Sequence, residues 1–305
     1  MMHFGVMFFA AMAAAQPASV FRAGVSLVHV DAEVIAADGR ILTGFSKEDF
    51  RVFDQGVPQQ LVHFSVEEQP LDLILLFDIS GSMRPVVEQV AGAARRGLRE
   101  LRPGDRVSVM VFNARSRVVL PFSEDLDSVE RSIQQDVLGL RFGGGTLIQQ
   151  AADDAANRFL GESHSQRRRA VLIVTDNVGL RTRRQQSVVR DFWEADALLS
   201  GLIIRGGFLH ATRPIMNVLA PETLLMQAGM KGIAEQTGGD TIDSSNGGSA
   251  FEEMMQRIRS RYSLDYIMPP GKPGLTRTIH VELSQEAQRS FPKAKVRARR
   301  GYRAP

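Results

Sequence analysis

Residues 71–83 read Leu-Asp-Leu-Ile-Leu-Leu-Phe-Asp-Ile-Ser-Gly-Ser-Met. The first part is almost wholly apolar, which is typical of a strand buried on both faces at the centre of a parallel sheet. The strand then runs into oxygen-bearing side chains, because Asp78, Ser80 and Ser82 follow at alternate positions and can turn toward one point. Gly81 is expected to give that turn its conformational freedom. The segment therefore predicts a central strand with a polar loop at its carboxyl end.

One carboxylate and two hydroxyls, without sulfur or imidazole, suit a hard divalent cation such as Mg2+, which prefers octahedral oxygen coordination. The pattern alone also fits a strand followed by a polar turn and a helix cap. Two further segments favour the metal. Residues 143–146, Gly-Gly-Gly-Thr, precede an Ala-rich helical pattern and offer a third hydroxyl, and the buried run 170–176 ends in a second carboxylate. Such loops meet at the carboxyl ends of parallel strands, where open α/β folds bind ligands. The predicted metal-binding residues are Asp78, Ser80, Ser82, Thr146 and Asp176.

Helical and strand patterns alternate along the middle of the chain, which predicts a doubly wound α/β fold with a mostly parallel sheet and helices on both faces. Strands are predicted at residues 106–112, 117–120, 170–176, 198–204 and 241–242, the second as an edge hairpin. Helices are predicted at residues 87–101, 126–137, 147–160, 185–195, 230–237 and 251–261.

Both ends of the chain have the two-residue periodicity of strands. Residues 25–66 contain an Asp38-Gly39 turn and one capped helical turn at residues 46–49. Beyond Arg261 three strands are predicted, at residues 262–267, 276–283 and 295–299, the last with one charged face in solvent. A few strands without a covering layer are only marginally stable, so the amino-terminal segment needs a partner sheet. The strands at the carboxyl-terminal end of the chain are the expected partner.

Composition narrows the class of protein. The chain has 305 residues, a formal charge of +3 and no cysteine. The charge is too small to indicate nucleic-acid binding, and the lack of cysteine excludes disulfides, thiolate metal sites and a cysteine nucleophile. Residues 4–15 form an apolar run that is too short to span a bilayer and ends in Ala13-Ala14-Ala15, so residues 1–15 are interpreted as a signal peptide. The alternative is a frayed hydrophobic terminus. A signal peptide predicts a periplasmic or secreted protein.

Two arginine clusters flank the strand that ends at Asp176. Arg167-Arg168-Arg169 precedes the strand, and Arg181 with Arg183-Arg184 follows it. Solvated loop charge is the favoured interpretation of both clusters. The alternative is that the second cluster, just beyond the metal loop, attracts an acidic partner.

The sequence 78–82, Asp-Ile-Ser-Gly-Ser, together with Thr146 and Asp176, resembles the metal-ion-dependent adhesion site of von Willebrand factor A (VWFA) domains. The resemblance implies that Ser80, Ser82 and Thr146 bind the metal directly or nearly so and that Asp78 and Asp176 act largely through water. An incoming carboxylate would complete the shell. Asn177 departs from the pattern, since many relatives have Gly after the last Asp, but Asn tolerates unusual backbone angles.

The chain ends also resemble a family. Residues 30–34, 38–40, 50–56 and 295–302 are similar to the acidobacterial type of VWFA-related protein, in which terminal β segments bracket the A domain. This resemblance implies one β-sandwich-like module, made from residues 24–66 and 263–305, with the VWFA domain at residues 70–262 inserted in it.

The leading functional hypothesis is a metal-dependent protein-binding module. In it Mg2+, with Mn2+ or Ca2+ as alternatives, bridges the site to an Asp or Glu carboxylate of a partner protein. A metal-stapled scaffold whose partners dock elsewhere is an alternative. An enzyme is disfavoured, because the site offers no general base beyond carboxylates committed to the metal, and Ser82 lies outside any Gly-x-Ser-x-Gly elbow. Five of the six histidines are scattered without ligand spacing: His29, His63, His164, His210 and His280.

Overall fold

The computed structural model describes residues 26–66, 69–162, 167–179, 184–204, 226–227 and 229–304. The predicted leader, residues 1–15, lies outside these ranges, as do His164, Arg181, Arg183 and His210. Within the described ranges, every helix is too short or too polar to cross a membrane.

The strands of the described residues fall into a middle group and two terminal groups. They are β1 (Leu27–Ile35), β2 (Ile41–Leu42), β3 (Phe50–Asp54), β4 (Val57–Gln59), β5 (Leu61–Val66), β6 (Leu71–Asp78), β7 (Arg106–Phe112), β8 (Ser116–Ser123), β9 (Arg168–Thr175), β10 (Val178–Gly179), β11 (Ala197–Ile204), β12 (Met226–Gln227), β13 (Thr241–Ser244), β14 (Tyr262–Ile267), β15 (Thr276–Leu283), β16 (Lys295–Ala298) and β17 (Gly301–Arg303).

The helices lie mainly between the strands of the middle group. They are α1 (Arg84–Leu98), α2 (Leu126–Arg131, continued by a π-helical segment Ser132–Val137), α3 (Ile148–Leu160), α4 (Gln185–Glu194), α5 (Met230–Thr237), α6 (Gly247–Arg259) and α7 (Gln285–Ser290). A 3-10 turn at Lys47–Asp49 confirms the predicted helical turn, and the Ser46 N–H donates to the Asp49 carboxylate over 2.8 Å, as in a capping box.

The middle group forms a six-stranded sheet in the order β13-β11-β9-β6-β7-β8. Strand β6 lies at its centre, all eight of its residues are buried, and it pairs in parallel with β7 and β9. Strand β8 is antiparallel to β7 and confirms the predicted edge hairpin. The predicted doubly wound, mostly parallel sheet is therefore confirmed.

Side chains of β6 alternate between two hydrophobic cores, one on each face of the sheet. Leu73 and Leu75 pack against α1, α2 and α6 on one face. Ile74 and Leu76 pack against α3, α4 and α5 on the other. A strand covered by helices on both faces has no polar side, which explains the continuous apolar run in the sequence.

The terminal strands form two antiparallel sheets that share a third core. One sheet has the order β16-β1-β14-β5 with β2 against β1, and the other has the order β17-β15-β3-β4. Apolar side chains from both sheets, such as Val30 of β1 and Val281 of β15, belong to one cluster. These sheets are called the β module below. Each contains strands from both ends of the chain, as the fold prediction requires. Strand β17 and helix α7 were not predicted.

The β module meets the α/β domain at a layer of buried charge. Apolar residues at alternate positions of β1 point into the β module, so the residues between them point to the α/β domain. Asp31 accepts a hydrogen bond from Arg168 Nε over 2.9 Å. Glu33, fully buried, lies 3.8 Å from Arg261 and 3.6 Å from Arg297. The Asp31–Arg168 and Glu33–Arg261 pairs join the two modules, whereas Glu33 and Arg297 both belong to the β module.

The prediction that Arg167, Arg168 and Arg169 are solvated loop charge is wrong. Arg168 is only 1% exposed, and besides Asp31 it donates to the Ile258 carbonyl at the end of α6. Arg167 Nε donates to the buried Asp72 carboxylate over 2.5 Å. Asp72 is a buried carboxylate on the neighbouring strand β6 and Asp31 lies on β1 of the β module, and the cluster supplies a cationic partner to each.

The predicted strand at residues 295–299 exists as β16, but only part of its charged face is in solvent, since Lys295 is exposed while Arg297 and Arg299 are partly buried. Arg297 forms ion pairs with Glu33 and Asp240, and Arg299, just past the strand, forms an ion pair with Asp196. The alternation of charged and apolar residues in the sequence correctly predicts that the strand has one charged and one apolar face. The two arginines of the charged face are partly buried because carboxylates of the α/β domain and of β1 lie opposite them.

Candidate metal-binding site

The predicted site residues lie at the carboxyl edge of the central sheet. Asp78 ends β6, and Asp176 comes directly after β9. The two strands are parallel neighbours, with Phe77 opposite Val174. Both loops therefore leave the sheet at the same edge.

Asp78 is fully buried and is held by two hydrogen bonds. Its Oδ1 accepts from the Ser80 N–H over 2.9 Å, and its Oδ2 accepts from the Thr175 hydroxyl over 2.8 Å. Burial raises the pKa of the Asp78 carboxyl to about 7; these hydrogen bonds oppose that rise, and the nearby Asp176 carboxylate adds to it.

Ser82 and Asp176 are in direct contact although 94 residues separate them in the chain. The Ser82 hydroxyl donates to Asp176 Oδ2 over 2.8 Å, and Asp176 Oδ1 accepts from the Val178 N–H over 3.0 Å. Asn177, the residue between Asp176 and Val178, has a φ of +59°, in the left-handed region that Asn tolerates. Its N–H donates to the Thr175 hydroxyl oxygen over 3.1 Å.

Thr146 lies in the glycine-rich loop that precedes α3. Backbone contacts hold this loop between the loop that follows β6 and the loop that follows β9. The Gly143 N–H donates to the Ile79 carbonyl over 2.9 Å. At the other side, a Cβ added at Gly179 would come within 2.6 Å of the Thr146 carbonyl oxygen, so the two backbones are closely packed. Gly144 has a φ of +87°, which explains the need for glycine in this loop.

The structure does not support the expected role of Gly81. Its φ lies outside the left-handed region, and an added Cβ would meet no atom within 4 Å. The turn between Ser80 and Ser82 therefore has an ordinary backbone conformation that other residues can adopt.

Two residues that hold the site were missed by the sequence interpretation. Thr175, the last residue of β9, binds Asp78. Asn113, the first residue after β7, donates from Nδ2 to the Gly143 carbonyl over 3.0 Å. Their signal in the sequence was their position, since each is a polar residue at the carboxyl end of a strand next to β6.

The donor set fits a hard cation. Among the described residues, no three Asp, Glu or His side chains come together as a metal site, so an ion here would depend on hydroxyls as well as carboxylates. Ser82 and Asp176 bring a hydroxyl and a carboxylate oxygen within 2.8 Å of each other, and Mg2+ prefers oxygen donors of these kinds. Mg2+ at this edge would supply positive charge to attract an anionic group.

A doubly wound α/β domain with an oxygen-rich loop cluster at the carboxyl edge of its sheet belongs to the class of domains that bind ligands at that edge. Within that class, residues 73–179 match the family model of the von Willebrand factor type A domain. The chain therefore contains a von Willebrand factor type A domain, inserted between the strands of the β module.

Solved structures with a similar arrangement come from several organisms. An aerotolerance-related membrane protein from Bacteroides fragilis has 18% sequence identity and a TM-score of 0.47, with 62% of this chain and 98% of that chain covered. BatB from Bacteroides thetaiotaomicron has 22% identity and a TM-score of 0.47, with 62% and 97% covered. Manganese-loaded TRAP protein from Plasmodium vivax has 14% identity and a TM-score of 0.44, with 84% and 100% covered. No curated protein sequence matches the chain.

Proposed function

We propose that this chain is a metal-dependent protein-binding module. A divalent cation, Mg2+ by preference with Mn2+ or Ca2+ as alternatives, is held by Asp78, Ser80, Ser82, Thr146 and Asp176. An Asp or Glu carboxylate of a partner protein completes its coordination. The signal peptide interpretation places this activity in the periplasm or outside the cell. The relation to the acidobacterial type of VWFA-related protein is part of the same proposal.

One observation carries the proposal. Asp78 and Asp176 are both buried at the same edge of the sheet, and no Lys or Arg of the described residues forms an ion pair with either carboxylate. Elsewhere in the molecule buried carboxylates do have such partners, as Asp72 has in Arg106 and Arg167. Buried charge is costly unless it is paired or coordinates a metal, and a divalent cation would compensate this pair.

The surroundings of the site favour an anionic partner. Three exposed arginines lie at this edge: Arg84 at the start of α1, Arg115 in the turn between β7 and β8, and Arg141 in the segment before the glycine-rich loop. Arg84 donates to the Leu140 carbonyl over 3.2 Å and lies over the Phe142 ring, so it is fixed beside the glycine-rich loop. Positive charge around a binding site speeds the approach of an acidic partner, more so at low salt.

The metal can be tested first, by calorimetric titration of the full chain with MgCl2 and with MnCl2. We expect one ion to bind per chain and Asp176→Asn to weaken binding by about ten-fold or more, because a lost contact to a charged group is worth about 1.5–3 kcal/mol. Glu88→Gln is the matched control, since it removes the same charge from the exposed face of α1. An equal loss in both variants, or no binding by the unmodified chain, would contradict the proposal.

Partner recognition needs a second experiment. The purified chain, immobilised with Mg2+, should capture one or more proteins from an envelope extract, and both EDTA and Asp78→Ala should abolish capture while circular dichroism shows an intact fold. Capture that persists in EDTA would favour the scaffold whose ion only staples the loops. Turnover of a phosphate ester or a peptide that is lost in Asp176→Ala would instead support metal-assisted hydrolysis. That the chain is not an enzyme stays a prediction.

A further inference from the structure

We infer that Asn113 is a positioning residue of the metal site, which fixes the glycine-rich loop so that Thr146 is presented to the ion. The inference rests on the proposed function and adds to it a residue that the metal motif does not contain. Asn113 is placed for this role by the sheet itself: Asp78 lies opposite Phe112, so the next residue along β7 stands beside the loop that carries Ser80 and Ser82.

Asn113 holds the loop at both ends. Its side-chain Nδ2 donates to the Gly143 carbonyl over 3.0 Å, at the start of the loop. Its backbone carbonyl accepts from the Leu147 N–H over 3.0 Å, directly after Thr146. The four residues from 143 to 146 are thus spanned by two hydrogen bonds to a single residue.

Asn113 is itself rigidly placed. Its N–H donates to the Arg115 carbonyl over 3.2 Å, and its Oδ1 accepts from the Arg115 N–H over 3.3 Å, which closes a tight turn between β7 and β8. The side chain is in contact with the loop, because a Cβ added at Gly144 would lie 3.3 Å from Asn113 Nδ2. A rigid turn on one strand therefore anchors a loop that belongs to another part of the chain.

The anchor matters because three consecutive glycines have more conformational freedom to lose than any other residues. A loop already held in place binds its ligand without that ordering cost. Asn113 is therefore expected to raise the affinity of the ion without touching it. Removing its side chain should act only through Thr146.

A double-mutant cycle on the full chain tests this inference, with MnCl2 titrated calorimetrically into the unmodified chain, Asn113→Ala, Thr146→Ala and the double variant. We expect Asn113→Ala to weaken Mn2+ binding by about two- to ten-fold, the range for one lost hydrogen bond. We expect the double variant to be no weaker than Thr146→Ala alone, because positioning is useless without the hydroxyl. The inference would be overturned if the fold-losses of Mn2+ affinity in the two single variants multiply in the double variant. It would also be overturned if Asn113→Ala binds Mn2+ with unchanged affinity.

Amide hydrogen exchange on the same variants gives a readout that needs no metal. We expect faster exchange of the Gly143 and Leu147 amides in Asn113→Ala. Asn113→Ser serves as the second variant if the alanine variant does not fold, since the shorter side chain does not reach the loop. The control is Asn246→Ala: Asn246 caps α6 at the same edge by accepting from the Gly248 and Ser249 N–H groups, both over 3.1 Å, without touching the loop. It should lower stability and leave Mn2+ affinity unchanged.

The two proposals fail in different ways. If the unmodified chain binds no Mn2+, the proposed function fails, whatever the exchange rates of the loop are. If it binds Mn2+ and Asn113→Ala binds equally well, or the exchange rates do not change, the metal site stands and the role of Asn113 falls.

Discussion

Asn177 has an unusual backbone for an L-residue, and its side chain does little to compensate. Its φ is +59°, it is buried, and its Oδ1 has no hydrogen-bond partner among the described residues. Hydrogen bonds fix this conformation on both sides: the Asn177 N–H donates to the Thr175 hydroxyl oxygen, and the Val178 N–H donates to the Asp176 carboxylate. The position therefore selects a residue for its backbone tolerance, which Asn and Gly share.

This reasoning predicts that Asn177→Gly will be more stable than Asn177→Ala by about 1 kcal/mol, since left-handed backbone costs residues with a Cβ about 1–2 kcal/mol. Both variants lose the buried Oδ1, so the difference between them isolates the backbone. Urea denaturation of the two proteins measures it. Equal midpoints would show that the loop relaxes to another conformation.

Helices α1 and α6 pack side by side on one face of the central sheet, and the packing depends on a small residue. A Cβ added at Gly97 of α1 would lie 2.5 Å from the Phe251 ring of α6 and 3.2 Å from Met255. Both of these side chains are buried. The two helices approach closely because Gly97 leaves room for the ring.

We predict that Gly97→Ala destabilises the protein by about 1–3 kcal/mol, because the extra methyl group overpacks a filled core. The matched control is Gly92→Ala in the same helix, where an added Cβ meets no atom within 4 Å. There the change should stabilise by up to about 1 kcal/mol, since Gly is the poorer helix former. Thermal unfolding of both variants checks the sign. Two changes of the same sign would contradict this account of the helix contact.

At the scale of the whole molecule, a layer of buried charge lies between the two modules. Asp31 and Glu33 of β1 meet arginines from the α/β domain there, and Arg168 links β1 to the end of α6. Replacing buried ion pairs by apolar residues is often tolerated, whereas removing one partner leaves an uncompensated buried charge. The layer is therefore a sensitive point of the fold.

Asp31→Asn should destabilise the protein by about 3–5 kcal/mol, because it leaves the buried Arg168 guanidinium without its counter-charge. Asp38→Asn is the control in the same module. Its ion pair with Arg40 is exposed, and exposed pairs contribute little, so stability should hardly change. Urea denaturation compares the two. A small loss in Asp31→Asn would show that another group compensates Arg168.

The same layer gives stability a dependence on pH through His29. Burial favours the neutral imidazole, but hydrogen bonds to Asp265 and Asp31 outweigh it and raise the pKa of His29 from 6.5 to about 10. The other charged groups facing His29 are Asp196 and Arg299. Since the folded protein holds this proton more tightly than the unfolded chain, the stabilisation is complete below pH 6.5 and is lost as pH rises through about 10.

We therefore predict that the free energy of unfolding falls between pH 7 and 10 in the unmodified protein and falls less steeply in His29→Gln. Urea denaturation at several pH values measures both slopes, and the difference between them isolates this histidine. Identical slopes would mean that His29 is neutral in the folded protein.

Most of the architecture was readable from local patterns. The apolar run of β6 predicted a central strand, and strand β7 and helix α5 lie at the predicted residues. The ligand motif and the second carboxylate after β9 predicted that two loops meet at one edge of the sheet. They do meet there, since Ser82 contacts Asp176. Periodicity and turn chemistry report which face of an element is apolar and where the element ends, and for parallel strands that is enough to place their loops together.

Periodicity does not report what lies opposite a charged residue. Arg168 and Asp31 are 137 residues apart, and the sequence around each is compatible with exposure to solvent. Three features follow from the packing of one module or loop against another: the partners of Arg297, the burial of two site carboxylates without a Lys or Arg partner among the described residues, and the contact of Asn113 with the glycine-rich loop. A charge keeps the same pattern in the chain whether it is hydrated or buried, and its environment is set by neighbours that are remote in sequence.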